Sequence, residues 1–483
     1  MHTLRITALV LAVSGCASAG GGTGAAPAPA PTPPASASAA GSAPAAFVVP
    51  VRYDTLPNGL RVVLSRDTTA PIVTVAVYYN VGFRLEPRNR TGFAHLFEHL
   101  MFQGSQNLGK LEFIRLIQKN GGILNGSTRF DFTNYFEIVP AHTLQTMLWA
   151  EADRMRGLDI TQENLANQQG VVKNEVRVNV LNQPYGGFPW LDVPQYANSN
   201  WYNAHNFYGD LSDIDAATLA DAQTFFRTYY TPSNAVLVVA GDFDPAQATA
   251  WIHQYFGSIP SAPRPAQPDL TEPRQETEKR ASRTDPLAPR PALAIAYHMP
   301  PRGTPEYYAM GLIDQILLQG KDSRLYQALV QRTGLTGDVS GGINLLGNMY
   351  DYGGPMLWTA SLIHDGDKSA DSILKVIDAT IEPLRTTLVD RATLDRALVK
   401  ARSALYDDVD ELFGFGRADL LASFALFDSD PARINDIEAQ YRKVTPELLR
   451  KTAEEYLRPG NRTVLTIEPK AAPAKGADTT SGS

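Results

Sequence analysis

The sequence predicts an α+β protein made of two similar sandwiches, each with helices laid on a sheet. Three observations lead there. Strand-like runs alternate with longer amphipathic ones in both halves of the chain. A Pro-, Arg- and Glu-rich stretch of little periodicity, Ser261 to Arg290, divides the body into two parts of similar size. Landmarks of the first part also recur, in the same order, in the second.

Ala70-Pro71-Ile72-Val73-Thr74-Val75-Ala76-Val77-Tyr78 reads as a strand, and Arg290-Pro291-Ala292-Leu293-Ala294-Ile295-Ala296-Tyr297 repeats it 220 positions later. Phe102-Gln103-Gly104 and Leu318-Gln319-Gly320 match at an offset of 216. Tyr230-Thr231-Pro232-Ser233-Asn234 leads into the strand Ala235–Ala240. Tyr456-Leu457-Arg458-Pro459-Gly460-Asn461 leads into Val464–Ile467 at an offset of 226. Three similar offsets in one order indicate a duplicated domain. Between the strands, Thr143–Arg156, Glu306–Leu318, Ile373–Leu384 and Ala392–Leu405 carry apolar residues at helical spacing.

The termini read differently from the body. Arg5, the apolar run Ile6–Val13 and the following Val13-Ser14-Gly15-Cys16 have the order of a secretory signal, with an apolar run too short to span a bilayer. Val13–Cys16 resembles a bacterial lipobox, whose cysteine is acylated and becomes the mature N-terminus; Cys16 is the single cysteine of the chain. The plainer alternative is cleavage near Ala17-Ser18-Ala19 with an incidental cysteine. Residues 17–46 are almost wholly Ala, Gly, Pro and Ser, too poor in apolar side chains to offset the entropy of ordering. The expected organisation is a signal peptide over 1–15, a tether over 16–46 and a first domain over 47–262. A linker over 263–289, a second domain over 290–468 and a frayed tail over 469–483 follow.

Composition narrows the function. One cysteine excludes a disulfide framework and thiolate metal clusters. Forty-three Lys and Arg against 50 Asp and Glu, with no basic run, argue against nucleic acid as a partner. A mean hydropathy of -0.19 excludes a polytopic membrane protein.

The chemistry is concentrated in Thr91-Gly92-Phe93-Ala94-His95-Leu96-Phe97-Glu98-His99-Leu100-Met101-Phe102. On a helix, His95 and His99 lie one turn apart on one face and can share a zinc ion, with Glu98 beside them. This is HxxEH, the inverse of the commoner zinc-protease order. A catalytic zinc takes three protein ligands and keeps one position open. The remaining histidines occur singly, so a carboxylate is the better third ligand. Glu175, between apolar neighbours in Val171-Val172-Lys173-Asn174-Glu175-Val176, is one candidate among many acids.

Taken together, these segments resemble the insulinase/pitrilysin family of zinc peptidases, on its bacterial mitochondrial-processing-peptidase-like branch. The resemblance runs from about Tyr53 to Ile467. It rests on Leu56-Pro57-Asn58-Gly59-Leu60, on Gly92 through Gly104, on Gly121-Gly122-Ile123-Leu124-Asn125-Gly126-Ser127-Thr128, and on Tyr229–Asn234 with Val239–Asp242. It implies two α/β sandwich domains and a third ligand about 76 residues after the second histidine, which is Glu175. It further implies one Zn²⁺ per chain held by His95, His99 and Glu175, Glu98 as general base, and Asn125 on an edge strand that pairs with substrate. The activity implied is hydrolysis of peptides or unfolded polypeptide segments.

The sequence departs from the family before the ligand glutamate and in the second domain, where the lack of a metal set is itself usual for the family. A second acid often stands seven residues before the ligand glutamate, where this chain has Gln168. At the positions matching His95, Glu98 and His99, the second half has Gly311, Asp314 and Gln315, so no metal is expected there. Thr333 and Gly337 occupy the places of an Arg/Tyr pair that peptidase members or their partner subunits carry. The expectation is therefore a zinc-bearing subunit that works in a heterodimer with a related chain supplying the pair, or failing that in a homodimer. Ala17 after the cysteine points to an outer-membrane lipid anchor facing the periplasm, with no other membrane contact. A non-catalytic assembly subunit of the same family, or a binding lipoprotein without chemistry, are the alternatives.

Overall fold

The computed structural model describes residues 48–470, so the signal peptide, Cys16, the tether and the tail from Ala471 onward lie outside the described residues. Among the described residues, eleven strands form two sheets. The first contains β1 (Arg52–Thr55), β2 (Arg61–Arg66), β3 (Ile72–Tyr79), β4 (Ile123–Thr128), β5 (Thr133–Pro140) and β6 (Ala235–Gly241), in the order β1-β2-β6-β3-β5-β4. The second contains β7 (Lys279–Asp285), β8 (Ala292–His298), β9 (Ser340–Ile343), β10 (Leu357–Ile363) and β11 (Arg462–Pro469), in the order β7-β11-β8-β10-β9.

Set β1 aside and the two orders are the same. In each sheet the outermost of these strands on one side runs parallel to its neighbour, β2 to β6 and β7 to β11. Every other pairing is antiparallel. The duplication expected from the sequence is therefore present in the topology, and the fold is α+β with two equivalent domains.

One boundary needs correction. The stretch 263–289 is not a linker throughout, because β7 is the first strand of the second repeat, paired along its length with β11. Its residues Lys279-Arg280-Ala281-Ser282-Arg283-Thr284-Asp285 alternate between exposed and half-buried up to a buried Asp285. Charged residues are how an edge strand resists pairing with other chains, and that composition hides the strand from an apolar pattern search.

The central strands are buried on both faces, which explains near-continuous apolar runs such as Ala235–Ala240. On β3, Val73, Val75, Val77 and Tyr79 pack into a core shared with the helices of the first domain, while Ala76 and Tyr78 enter a core shared with the second. The helical stretch Arg391–Phe427 is broken at Glu411–Gly414 and packs against β6, β3 and β2 of the first sheet. Arg61 Nη1 donates to Ala425 O at 2.8 Å, and Tyr78 OH donates to Asp419 Oδ1 at 2.5 Å. The expected helix over 392–405 thus extends much further and joins the two repeats. Among the described residues no helix is long and apolar enough to cross a membrane.

Candidate metal centre

The helix Phe93–Leu100 begins abruptly after Gly92, whose φ of 83° lies in the left-handed region. A Cβ there would stand 3.1 Å from Gly209 Cα, so glycine is required on both counts. The first amides of the helix are capped from a distance. Glu86, wholly buried, accepts from Gly92 N at 2.8 Å and Ala94 N at 2.7 Å. A carboxylate at this end complements the helix dipole. Burial pushes the Glu86 carboxyl up, against the opposing pull of His205 and the two amides. Phe93, Leu96, Phe97 and Leu100 anchor the helix in the core, leaving the histidine face turned toward a second helix, Gln162–Val176.

His95 and His99 meet edge to face with ring centroids 4.9 Å apart, and their Nε2 atoms are 3.3 Å from each other. Glu175, near the end of Gln162–Val176, closes the triangle: Oε1 lies 3.6 Å from His95 Nε2 and Oε2 lies 3.3 Å from His99 Nε2. Ligand atoms of a tetrahedral zinc with bonds of about 2.0–2.1 Å stand roughly 3.4 Å apart. The Nε2–Nε2 and His99 Nε2–Oε2 separations match that spacing, the other carboxylate oxygen makes the 3.6 Å contact to His95, and two imidazoles with one carboxylate are a zinc donor set. Among the described residues this is the one cluster of three or more His, Cys, Asp or Glu able to hold a metal.

The electrostatics match. The His99 hydrogen bond holds the Glu175 carboxyl down at about 2, with burial opposing and His95 assisting. Burial lowers His95 despite Glu98 and Glu175. At His99 burial also pulls downward, but the hydrogen bond it donates to Glu175 and the charge of Glu98 outweigh it and the net shift is upward.

Glu98 is half-buried beside the triangle. Thr128, on β4, donates from Oγ1 to Glu98 Oε2 at 2.6 Å, so Oε1 is the oxygen left free. Gly126 lies beneath the same carboxylate, where a Cβ would come within 3.2 Å of Glu98 Cγ. Asn125 lies on β4 as expected, and β4 is the outermost strand of its sheet. Alternation along the strand turns its exposed side chain to the face opposite Gly126 and Thr128, and its Oδ1 accepts from Gly126 N at 2.9 Å. The structure brings His95, His99, Glu175 and Glu98 together; Asn125 contributes the strand edge rather than a side chain in the cluster.

Gln168 is buried next to His99, hydrogen-bonds it, and donates from Nε2 to Asn167 Oδ1 at 2.8 Å. An amide therefore fills the place where an acid was looked for. Sequence reasoning missed Glu86, Thr128 and Tyr208. Tyr208 OH donates to Glu175 Oε1 at 2.7 Å from 33 residues away. No spacing rule links these residues to the motif, since each reaches it through the tertiary fold.

In the second domain the matching positions are closed. A Cβ on Gly311 would meet Tyr441 OH at 2.8 Å. Asp314 is buried and accepts from Trp358 Nε1 at 2.7 Å, with burial pushing its carboxyl up to about 6. Lys400 Nζ donates to Gln315 O at 2.9 Å. Thr333 Oγ1 donates to Ala328 O at 2.7 Å within its own turn.

Comparison with known proteins follows the same division. The sequence pattern of the insulinase family (peptidase family M16) matches residues 61–185, and that of the peptidase M16 inactive domain matches residues 216–399. Zinc protease PqqE of Helicobacter pylori is 26% identical over 426 residues, which is 86% of this chain and 92% of that protein. A crystal structure of a protease from Helicobacter pylori superposes with a TM-score of 0.79 at 25% identity, covering 87% of this chain and 100% of that one. The periplasmic protease PqqL from Escherichia coli shares the fold at a TM-score of 0.71 and 17% identity, and the match covers 88% of this chain but 48% of PqqL.

Proposed function

Because the chain belongs to the insulinase (M16) family of peptidases, we propose that it is a zinc-dependent endopeptidase of the bacterial envelope, acting on peptides or unfolded polypeptide segments. The observation that carries this reading is the His95–His99–Glu175 cluster next to Glu98, with the two Nε2 atoms 3.3 Å apart, Oε2 3.3 Å from His99 Nε2 and Oε1 3.6 Å from His95 Nε2. The name of the Helicobacter relative as a zinc protease supports it.

His95 Nε2, His99 Nε2 and Glu175 Oε2 would hold the ion, one per chain. When bound, zinc polarises the scissile carbonyl and makes a nearby water more acidic. The chain's own residues do the rest. An extended substrate adds to the free edge of β4, which supplies backbone hydrogen bonds without demanding a particular side chain. Glu98 Oε1 takes the proton of the attacking water and later delivers it to the leaving amine nitrogen. Thr128 keeps Oε2 engaged, so that proton has one address.

A heterodimer remains the proposed assembly, with a homodimer as the other arrangement. The fold accounts for about half of PqqL, and one such body leaves a substrate on β4 with no opposing wall. Closing that space strengthens the electrostatics acting on the developing oxyanion. Neither Thr333 nor Gly337 supplies a cationic or phenolic donor, so a partner would bring one. The lipobox supports anchoring through Cys16; Cys16→Ser should move the protein out of the membrane fraction.

Elemental analysis together with cleavage of a quenched peptide tests the central reading. One zinc per chain, and hydrolysis lost to a chelator and restored by zinc, is the expected result. A chain that binds no zinc would instead be a non-catalytic family subunit. Adding the related chain to the zinc-loaded one should raise its activity; full activity in isolation, with no gain on mixing, would exclude the heterodimer requirement.

A further inference from the structure

The geometry points to Tyr208 as a positioning residue that fixes Glu175 as a one-oxygen metal ligand. This rests on the zinc-site reading above. A carboxylate offers two oxygens, and if both face the ion the position needed for water is crowded. Here the two are not equivalent. Oε1 accepts the Tyr208 phenol hydrogen at 2.7 Å and stands 3.6 Å from His95 Nε2, while Oε2 has no such donor and faces His99 Nε2 at the shorter 3.3 Å. The phenol has a single hydrogen. While it is given to Oε1, it is not available to a substrate oxyanion, so Tyr208 acts through Glu175 and not on the reacting atoms.

The loop that carries Tyr208 is built to hold it there. Its ring stands edge-on to His95 at 5.2 Å, with Trp190 at 5.7 Å. Tyr208 N donates to Asn206 Oδ1 at 3.2 Å. The next residue, Gly209, packs against Gly92 at the start of the histidine helix, and Asp210 N donates to Thr91 Oγ1 at 2.9 Å. Asn179, on the π-helical turn Arg177–Leu181 that follows Glu175, hydrogen-bonds the phenol from the other helix. One short loop is thus attached to the beginning of the helix that supplies both histidines and to the carboxylate supplied by the second helix. It sets the distance between the two sources of ligands.

Tyr208→Phe tests this, since it keeps the ring against His95 and Trp190 and removes one hydrogen bond. Outer-shell partners of metal ligands typically change affinity by about 10–100-fold. The expected result is zinc binding weaker by about that factor in competition with a chromophoric chelator, with the metal-free variant still unfolding in one cooperative transition. Cobalt(II) substituted into the variant should show the weaker visible bands of a five-coordinate ion where the wild type shows the intense bands of a four-coordinate one. Zinc affinity within about twofold of wild type and an unaltered cobalt spectrum would overturn the assignment. Failure of the wild-type chain to bind zinc would instead overturn the proposed function. If Tyr208→Phe does not fold, Asn179→Ala, which leaves the ring in place and loosens the phenol, should weaken zinc binding in the same direction; unchanged affinity there would overturn the assignment too.

Discussion

The two domains share a strand order and the placing of a helix against the edge strand, yet one gathers two imidazoles and a carboxylate able to hold a metal and the other has a filled interior. Gly126 and Gly342 make the comparison sharp, because they stand 216 positions apart and each lies under the acid of its own helix. In the first domain that acid is the half-exposed Glu98, with one oxygen free. In the second it is the buried Asp314, tied to the indole of Trp358. Tyr441 fills the space where the first domain has an imidazole. Duplication thus preserved backbone pairing, which depends on apolar alternation, while the chemistry changed through a few side chains that alternation does not constrain.

The largest expected effect tests the first half of the comparison. Glu98→Gln should lower kcat by about 10²–10⁴-fold, the range of general-base catalysis, while zinc content measured by elemental analysis stays at one per chain. Retained turnover would mean that the acid of the first domain is as silent as that of the second. Next, His99→Ala should leave the purified chain without tightly bound zinc, whereas the double replacement Gly311→His with Gln315→His should not create a second site. Tyr441 blocks the imidazole at 311, so that variant should also lose stability; a second bound zinc would show that the second domain is less closed than it is here.

Thr128→Val removes the hydrogen bond to Glu98 Oε2. Hydrogen bonds to charged groups contribute about 1.5–3 kcal/mol, so kcat should fall by about ten- to a hundredfold with zinc affinity little changed. Equal loss of kcat and zinc would assign Thr128 to holding the helix instead.

The effect with the least bearing on turnover lies in the second domain and depends on pH. Burial holds the Asp314 carboxyl at about 6 against 3.8 for the ordinary group. The native state therefore keeps a proton that the unfolded chain releases. The stability this contributes is present in full below pH 3.8 and is lost as pH rises through about 6. Asp314→Asn retains an acceptor for Trp358 and cannot ionise. Its unfolding free energy should exceed that of wild type by up to about 3 kcal/mol at pH 8, and the gain should vanish near pH 4. Denaturant titrations at the two pH values check this, and a gain independent of pH would remove the titration of Asp314 as its cause.

Much of this was legible in advance for identifiable reasons. The strands β3, β6, β8 and β11 are apolar enough to read directly, and Thr143–Arg156 shows its helical period. His95, Glu98 and His99 announce themselves because a single helical turn brings them together. Glu175 needed the family resemblance, since nothing in its own neighbourhood separates it from other acids. β7 escaped because an edge strand of alternating charge resembles a linker, and the helix to Phe427 escaped because its far end is shaped by the sheet it packs on.

By itself the sequence determined the duplication, the two histidines with their acid, and the absence of a matching set in the second half. These follow from local spacing, where the geometry of one helix or one strand is enough. Only the tertiary structure decided that Glu175 faces both imidazoles, that Glu86 caps their helix, and that Thr128 and Tyr208 each engage one oxygen of a functional carboxylate. Those contacts join residues that are distant in the chain. Their geometry comes from packing two helices and a loop onto one sheet, which sequence spacing does not encode.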